Sequence, residues 1–299
     1  MKFKFFSVVV GTEACVSACP FCVSREKICK ENSQEPEVNW RNFRIAANLA
    51  TKSNIDTVEL TSRGETLLFP ELITKYLCEL KAFNFPFIEL QTNGILIGLN
   101  NAKDEYLKEW YDLGLTTIAI SVVGYDRTKN GKNYIKNGRE YMDLPKVIER
   151  LHSIGFSVRL ACICYKGGID SQKEVNKMIE FAKENKVEQL TLRPVNDEYR
   201  KESAKIWVEE HKLKAEDKCS IREFLNSEGT KLLELDRIGE IFDVYGQNVM
   251  FSVPLNKYTI DYSPENGRQL IFFQDGHLRY EWEHTGGILL WKYIIKNQI

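Results

Sequence analysis

Two hydrophobic periods alternate along the first two-thirds of the chain. Short runs rich in β-branched and aromatic residues recur at 5–10, 57–61, 87–91, 116–123, 157–164 and 189–193, and they predict six strands. Between them the apolar spacing lengthens to that of one helix face. Residues 69–81 carry Pro70 in the first turn and Leu72, Ile73, Tyr76, Leu77 and Leu80 on one side. Residues 105–113 stop at Gly114, and residues 143–154 place Leu144, Val147, Ile148, Leu151 and Ile154 inward. A capping box from Ser171 to Glu174 opens a helix with Val175, Met178, Ile179 and Ala182. Six strand–helix units with short connections predict a parallel sheet, and six are too few to close an eight-stranded barrel.

Past Val195 the alternation ends. Residues 198–218 are charged and read as helix, with further helix over 221–225 and 230–242. The period then shortens: 248–253 and 270–274 read as strands, Asp275-Gly276 is a hairpin turn, and 277–282 return as its partner. Residues 287–295 form a closing strand or a short helix. So few strands do not make an independent unit. The expected division is a barrel over 1–200 and a capping extension over 201–299, set on the barrel's open side to shape a pocket.

The 299 residues carry a net charge of −1, with 43% hydrophobic and 28% charged residues, so no global field draws the chain to nucleic acid. No apolar run is long enough to span a bilayer, and the Met-Lys start with strand-like residues behind it does not read as a cleavable signal. Eight cysteines in such a chain suggest thiols or metal ligands in a reducing cytoplasm rather than disulfides.

Three of those cysteines, Cys15, Cys19 and Cys22, follow the first strand with the spacing C-x3-C-x2-C. That is one ligand fewer than a closed four-cysteine site, and a metal centre with an unfilled position binds substrate or cofactor directly. From spacing alone a zinc site completed by Cys29 or a distant His remains open, as do three unrelated buried thiols.

The run Cys15-Val-Ser-Ala-Cys19-Pro-Phe21-Cys22 resembles the C-x3-C-x-aromatic-C hallmark of the radical S-adenosylmethionine (SAM) superfamily. The resemblance implies an α/β fold, a partial (β/α)6 parallel barrel, here with a C-terminal α+β cap containing a β-hairpin. It implies that the three cysteines ligate three irons of a [4Fe-4S] cluster, and that the fourth iron chelates the amino and carboxylate groups of SAM. Reduction of that sulfonium then gives methionine and a 5′-deoxyadenosyl radical, which abstracts a hydrogen atom from substrate. A reductase such as flavodoxin or ferredoxin is the implied electron donor. Oxidoreductase and transferase outcomes both stay open, as do peptide, nucleoside and small-metabolite substrates, and no catalytic acid or base stands out.

The other strand ends extend the resemblance. Thr61-Ser62-Arg63-Gly64-Glu65-Thr66 falls where the family often has Gly-Gly-Glu-Pro: Gly64 and Glu65 match, Arg63 and Thr66 depart. By resemblance this backbone, helped by Glu65, holds the SAM amino group; read alone it is a turn with an exposed Glu. Asn93, in Thr92-Asn93-Gly94, is implied near SAM or substrate, and is otherwise an Asn-Gly turn. Ser121 is implied at the ribose or carboxylate and Arg159 at the carboxylate, where a bidentate partner suits its guanidinium. The backbone of Val195 would meet the adenine, with Phe21 packed on the ring; Arg193 points at substrate or at solvent.

Five cations, Arg127, Lys129, Lys132, Lys136 and Arg139, face one acid, Asp126, in the segment 124–139. It reads as a rim loop for an anionic group or as a solvated loop. Cys162 and Cys164 alternate on the fifth strand and read as small buried hydrophobes. His277 and His284 lie within reach of a substrate, and no histidines have metal-ligand spacing. The reading from another class is a non-catalytic iron–sulfur or zinc protein, a redox sensor or scaffold.

Overall fold

The architecture is that of a computed structural model in which residues 3–24, 35–99, 102–135, 141–195, 202–235, 238–252, 269–280, 282 and 288–290 are described. The elements run β1 (Phe5–Val9), α1 (Trp40–Lys52), β2 (Thr57–Thr61), α2 (Pro70–Leu80), β3 (Phe87–Thr92), a short α3 (Ile95–Gly98), α4 (Asp104–Asp112), β4 (Thr117–Val122), α5 (Arg127–Tyr134), α6 (Leu144–Ile154), β5 (Ser157–Cys164), α7 (Gln172–Glu184) and β6 (Gln189–Pro194). The remainder comprises α8 (Glu202–His211), α9 (Ala215–Glu228), β7 (Gly229–Leu235), β8 (Gly239–Val244), β9 (Gln247–Ser252), β10 (Gln269–Phe272), β11 (Leu278–Arg279) and β12 (Ile288–Leu290).

All six expected parallel strands form and lie side by side in sequence order. Later strands extend the same sheet at both edges: β10 pairs with β1 and β9 with β6, each in parallel, and antiparallel strands lie beyond them. The sheet is therefore α/β, mostly parallel and open, since β9 and β10 are not paired with each other.

The alternation along each strand sorts the two faces. Phe6 and Val8, Val58 and Leu60, Ile118 and Ile120, Val158 and Leu160, and Leu190 and Leu192 are buried in the main core with the helix faces. Cys162 and Cys164 belong to that core too, fully buried, with Cys164 Sγ donating to the carbonyl of Cys162 at 3.6 Å. The opposite, inner face is polar over most of its width. There Ser7 donates to Glu59 at 2.9 Å, and Arg159 reaches across the small Ala119 of β4 to Glu89 on β3. A small apolar patch of Val9, Ile271 and Phe273, with Trp282 against it, lies on this face where β1 meets β10.

Three sequence expectations require correction. Residues 230–235 and 239–242 lie in the antiparallel strands β7 and β8, not in a helix. Gly239 lies within that span, where an added Cβ would stand 2.4 Å from the Phe251 carbonyl oxygen, so strand pairing has overridden a helix-compatible apolar spacing. The single charged helix over 198–218 is two helices, α8 and α9, with 212–214 between them, and 196–201 lie outside the described residues. The basic segment 124–139 is helical over α5: Asp126 caps it by accepting from Lys129 N at 2.7 Å, and buried Asn130 ties it to β4 by accepting from Val123 N at 2.8 Å. Neither α1 nor the short α3 was expected, although Phe43, Ala46, Ala47 and Ala50 mark the buried face of α1 and Asn39 its cap. No helix among the described residues is long and apolar enough to cross a membrane.

Candidate cofactor site

The three cysteines follow β1, at the strand ends where ligands bind in parallel sheets. All three are partly exposed. Neighbouring loops hold their loop from two sides. From β2, Ser62 Oγ donates to the Thr12 carbonyl at 3.1 Å and Glu65 N–H to the Ala14 carbonyl at 2.8 Å. Gly64 is where the chains pass closest: a Cβ there would lie 1.9 Å from the Ala14 oxygen, so no other residue fits without moving backbone. From β3, Asn93 Nδ2 donates to Ser17 Oγ at 2.8 Å and approaches Cys15 Sγ at 3.9 Å. Ser17 N–H also donates to Cys15 Sγ, at 3.4 Å.

Glu65 links these two supports. It is not the exposed turn residue of the plainer reading but is 2% exposed, with one carboxylate oxygen accepting from Leu67 N–H and Thr92 Oγ1 and the other from Asn93 N–H. Burial raises its pKa above the usual carboxylate value, and the three donors oppose that shift. The departure at Thr66 also has a local reason, since its hydroxyl donates to the Gln91 carbonyl at 2.7 Å and pins the β2 loop to β3.

Arg63 extends over the mouth. Its guanidinium is 3.6 Å from Glu13, 3.4 Å from the Trp282 carbonyl and 5.6 Å from the centre of the Phe273 ring. Arg279 approaches the same ring at 4.5 Å. His277 lies beside it, 3.3 Å from Arg279 and 2.8 Å from Asp275. Sequence reasoning missed this grouping because Arg63 and Arg279 are 216 positions apart in the chain and meet only through β10 and β11. His284 falls outside the described residues, as do Cys29, Lys136 and Arg139.

The other candidates are spread across the inner face and the rim. Ser121 is half-buried on β4, beside Ala161 of β5. Val195 is buried at the end of β6, its N–H donating to the Cys164 carbonyl at 2.9 Å. Phe21 packs edge-on to Tyr134 and near Trp207, with ring centres 6.1 and 5.6 Å apart. Arg159 does meet a carboxylate in bidentate fashion, but within the chain: Nε and Nη2 both bind Glu89, and Nη1 lies 3.3 Å from Thr191. The guanidinium holds Glu89 below the usual carboxylate range against a strong desolvation penalty. Two cations of the basic segment are likewise engaged, Arg127 with the Tyr141 carbonyl at 2.7 Å and Lys129 with Glu174 at 3.6 Å.

The sequence model of the radical SAM superfamily matches residues 9–182, more than half of the chain. The chain belongs to the radical SAM superfamily. Members bind a [4Fe-4S] cluster and SAM. An uncharacterized protein of Methanocaldococcus jannaschii is 30% identical over 183 residues, which cover 60% of this chain and 55% of that protein. Among solved structures, native anSMEcpe with bound AdoMet aligns with a TM-score of 0.61 at 14% identity, over 96% of this chain and 77% of that one. Streptococcus suis SuiB bound to precursor peptide SuiA aligns at 0.54 and 12% identity, over 94% of this chain and 60% of that one. Methylornithine synthase (PylB) aligns at 0.52 and 14%, over 89% and 78%. At these identities the likeness is one of fold.

The donor set suits the family's cluster. A cubane asks for one thiolate per iron. Cys15, Cys19 and Cys22 would supply the three, with Gly64 allowing the β2 loop to close on theirs.

Proposed function

We propose that this radical SAM enzyme cleaves SAM reductively and passes the resulting radical to a substrate bearing an anionic group. When bound and reduced, the [4Fe-4S] cluster supplies one electron to the SAM sulfonium, whose C5′–S bond then breaks to give methionine and a 5′-deoxyadenosyl radical. The observation that carries the reading is the bracing of the three-cysteine loop by Gly64, Glu65 and Asn93, which fixes the thiols at the sheet's C-terminal rim.

The residues divide the remaining tasks. The backbone at Gly64 and Glu65 faces the SAM amino group, with the Glu65 carboxylate ordering the loop. Ser121 would contact the ribose or carboxylate, and Arg159, neutralised by Glu89, braces the sheet below it. Val195 and Phe21 border the adenine. Substrate enters over the apolar patch beside β10, where Arg63 and Arg279 flank Phe273 and offer two guanidinium groups to a carboxylate or phosphate. These are preferred to the basic segment as the anion handle because they stand beside the apolar patch of the inner face. The electron donor is a small reductase such as flavodoxin or ferredoxin, in a reducing cytoplasm.

Anaerobic reconstitution with iron and sulfide, followed by dithionite and SAM, is expected to yield 5′-deoxyadenosine and methionine. Cys15→Ala, Cys19→Ala and Cys22→Ala are each expected to abolish that product. A single variant retaining more than about a tenth of wild-type turnover overturns the assignment. A cluster that forms but never cleaves SAM favours the redox sensor instead.

A further inference from the structure

Two phenols beside the cysteine loop are buried without a hydrogen-bond partner. Tyr134 closes α5, and Tyr141 lies just before α6; they are 2% and 3% exposed, and neither hydroxyl is bonded. A buried hydroxyl left unpaired opposes folding, so two side by side call for an explanation. Their rings are neighbours, with centres 6.1 Å apart. The Tyr134 backbone is joined to the loop directly, its carbonyl accepting from Ala18 N–H at 3.1 Å, one residue before Cys19. Phe21, two residues after Cys19, packs against the Tyr134 ring. Ala18 and Phe21 flank Cys19 in the chain, so Tyr134 borders that corner of the loop. A phenol keeps its proton at neutral pH and can donate it in a hydrogen bond.

The sulfur of Cys15 already has donors, the Ser17 N–H and Asn93 Nδ2. We propose that the Tyr134 and Tyr141 hydroxyls serve the Cys19 corner in the same way, donating to the Cys19 thiolate or an adjacent cluster sulfide and raising the cluster's reduction potential. The proposal rests on the reading that this loop holds a cubane. Its physical basis is that O–H donors stabilise the more negative, reduced cluster more than the oxidised one, and hydrogen bonds to sulfur are among the determinants of cluster potential. Both tyrosines are positioning residues here, acting on the sulfur.

The experiment is a redox titration of the anaerobically reconstituted protein, followed by electron paramagnetic resonance, for wild type, Tyr134→Phe, Tyr141→Phe and the double variant. Tyr76→Phe is the control, since Tyr76 is a third buried phenol without a partner but packs among Trp40 and Phe43, away from the loop. Each Phe keeps the ring and removes only the hydroxyl. The midpoint is expected to move to more negative values in both single variants, further in the double, and not in Tyr76→Phe. Exchangeable-proton couplings to the reduced wild-type cluster, lost in D2O, are expected to diminish in the double variant, which keeps the proposal testable if one variant folds poorly. Unmoved midpoints in proteins holding about four irons per chain overturn the tyrosine role and leave the cofactor reading intact. An equal shift in Tyr76→Phe also overturns it. A wild-type chain that takes up no cubane overturns both.

Discussion

Two buried glutamates on neighbouring segments, one at the rim and one on the inner face below, are stabilised in opposite ways. Glu65 receives three neutral donors, from Leu67, Asn93 and Thr92, and its pKa is raised. Glu89 receives the Arg159 guanidinium and the Gln91 amide, and its pKa is lowered. The lower pair is self-neutral and closes a gap between β3 and β5 over Ala119. Glu65 draws on no cation: its donors are backbone groups and a hydroxyl on the same loops that brace the cysteines. A carboxylate held this way orders the loops without using Arg63 or Arg279, which flank Phe273.

Removing one partner of the lower pair is the strongest test of that contrast. Arg159→Leu leaves Glu89 buried without its cation, and about 3–5 kcal/mol of stability is expected to be lost, read from urea unfolding. Glu89→Leu combined with Arg159→Leu is expected to recover most of the loss, because the double change removes both desolvated charges. A single variant costing less than about 1 kcal/mol would place the pair with weak surface bridges and break the comparison.

The rim predicts a smaller loss with a different signature. In Glu65→Gln one amide nitrogen must face a backbone N–H, of Leu67 or of Asn93, whichever way the side chain is turned. The expected cost is about 1–3 kcal/mol. Iron uptake on reconstitution is expected to fall with it, since Asn93 connects Glu65 to Ser17 and Cys15. Arg159→Leu, once corrected for unfolded protein, is expected to take up iron normally. Equal uptake by Glu65→Gln and wild type would mean that the rim braces nothing.

These two residues also mark how far the sequence was legible. The period of apolar positions located the six consecutive strands β1 to β6, because burial on one face repeats at a spacing visible locally. The cysteine spacing marked the candidate cofactor loop, because the three thiols proposed as ligands lie within eight residues of one another. Glu65 was legible as a motif residue but not as a buried one, since its three donors come from a turn and from the next strand. Arg159 was expected at the carboxylate of SAM, and within the chain its guanidinium meets a different carboxylate in bidentate fashion. That the carboxylate belongs to Glu89, 70 positions away, depends on sheet order and on a small residue between them. The β7–β8 pair was taken for helix because Leu232, Leu233, Ile241 and Phe242 fit either period, and only pairing with β9 decides.

The subtlest test follows from the opposite pKa directions. Glu65 is raised in the folded state, so the stability that wild type holds over Glu65→Gln is complete below the ordinary carboxylate range and declines as pH rises through the raised folded value. Glu89 is lowered, so the stability that wild type holds over Glu89→Gln is complete above the ordinary carboxylate range and is lost as pH falls through the folded value. Gln does not titrate, so the cost of leaving Arg159 unpaired enters as an offset and not as a slope. Urea midpoints from about pH 2 to 8 are therefore expected to give difference curves of opposite slope, Glu89 below the ordinary carboxylate range and Glu65 above it, each changing by about 1.4 kcal/mol per unit of pKa difference. Curves of the same sign would show that one of these carboxylates is not held as described, and the contrast between rim and inner face would then lie elsewhere than in their charge.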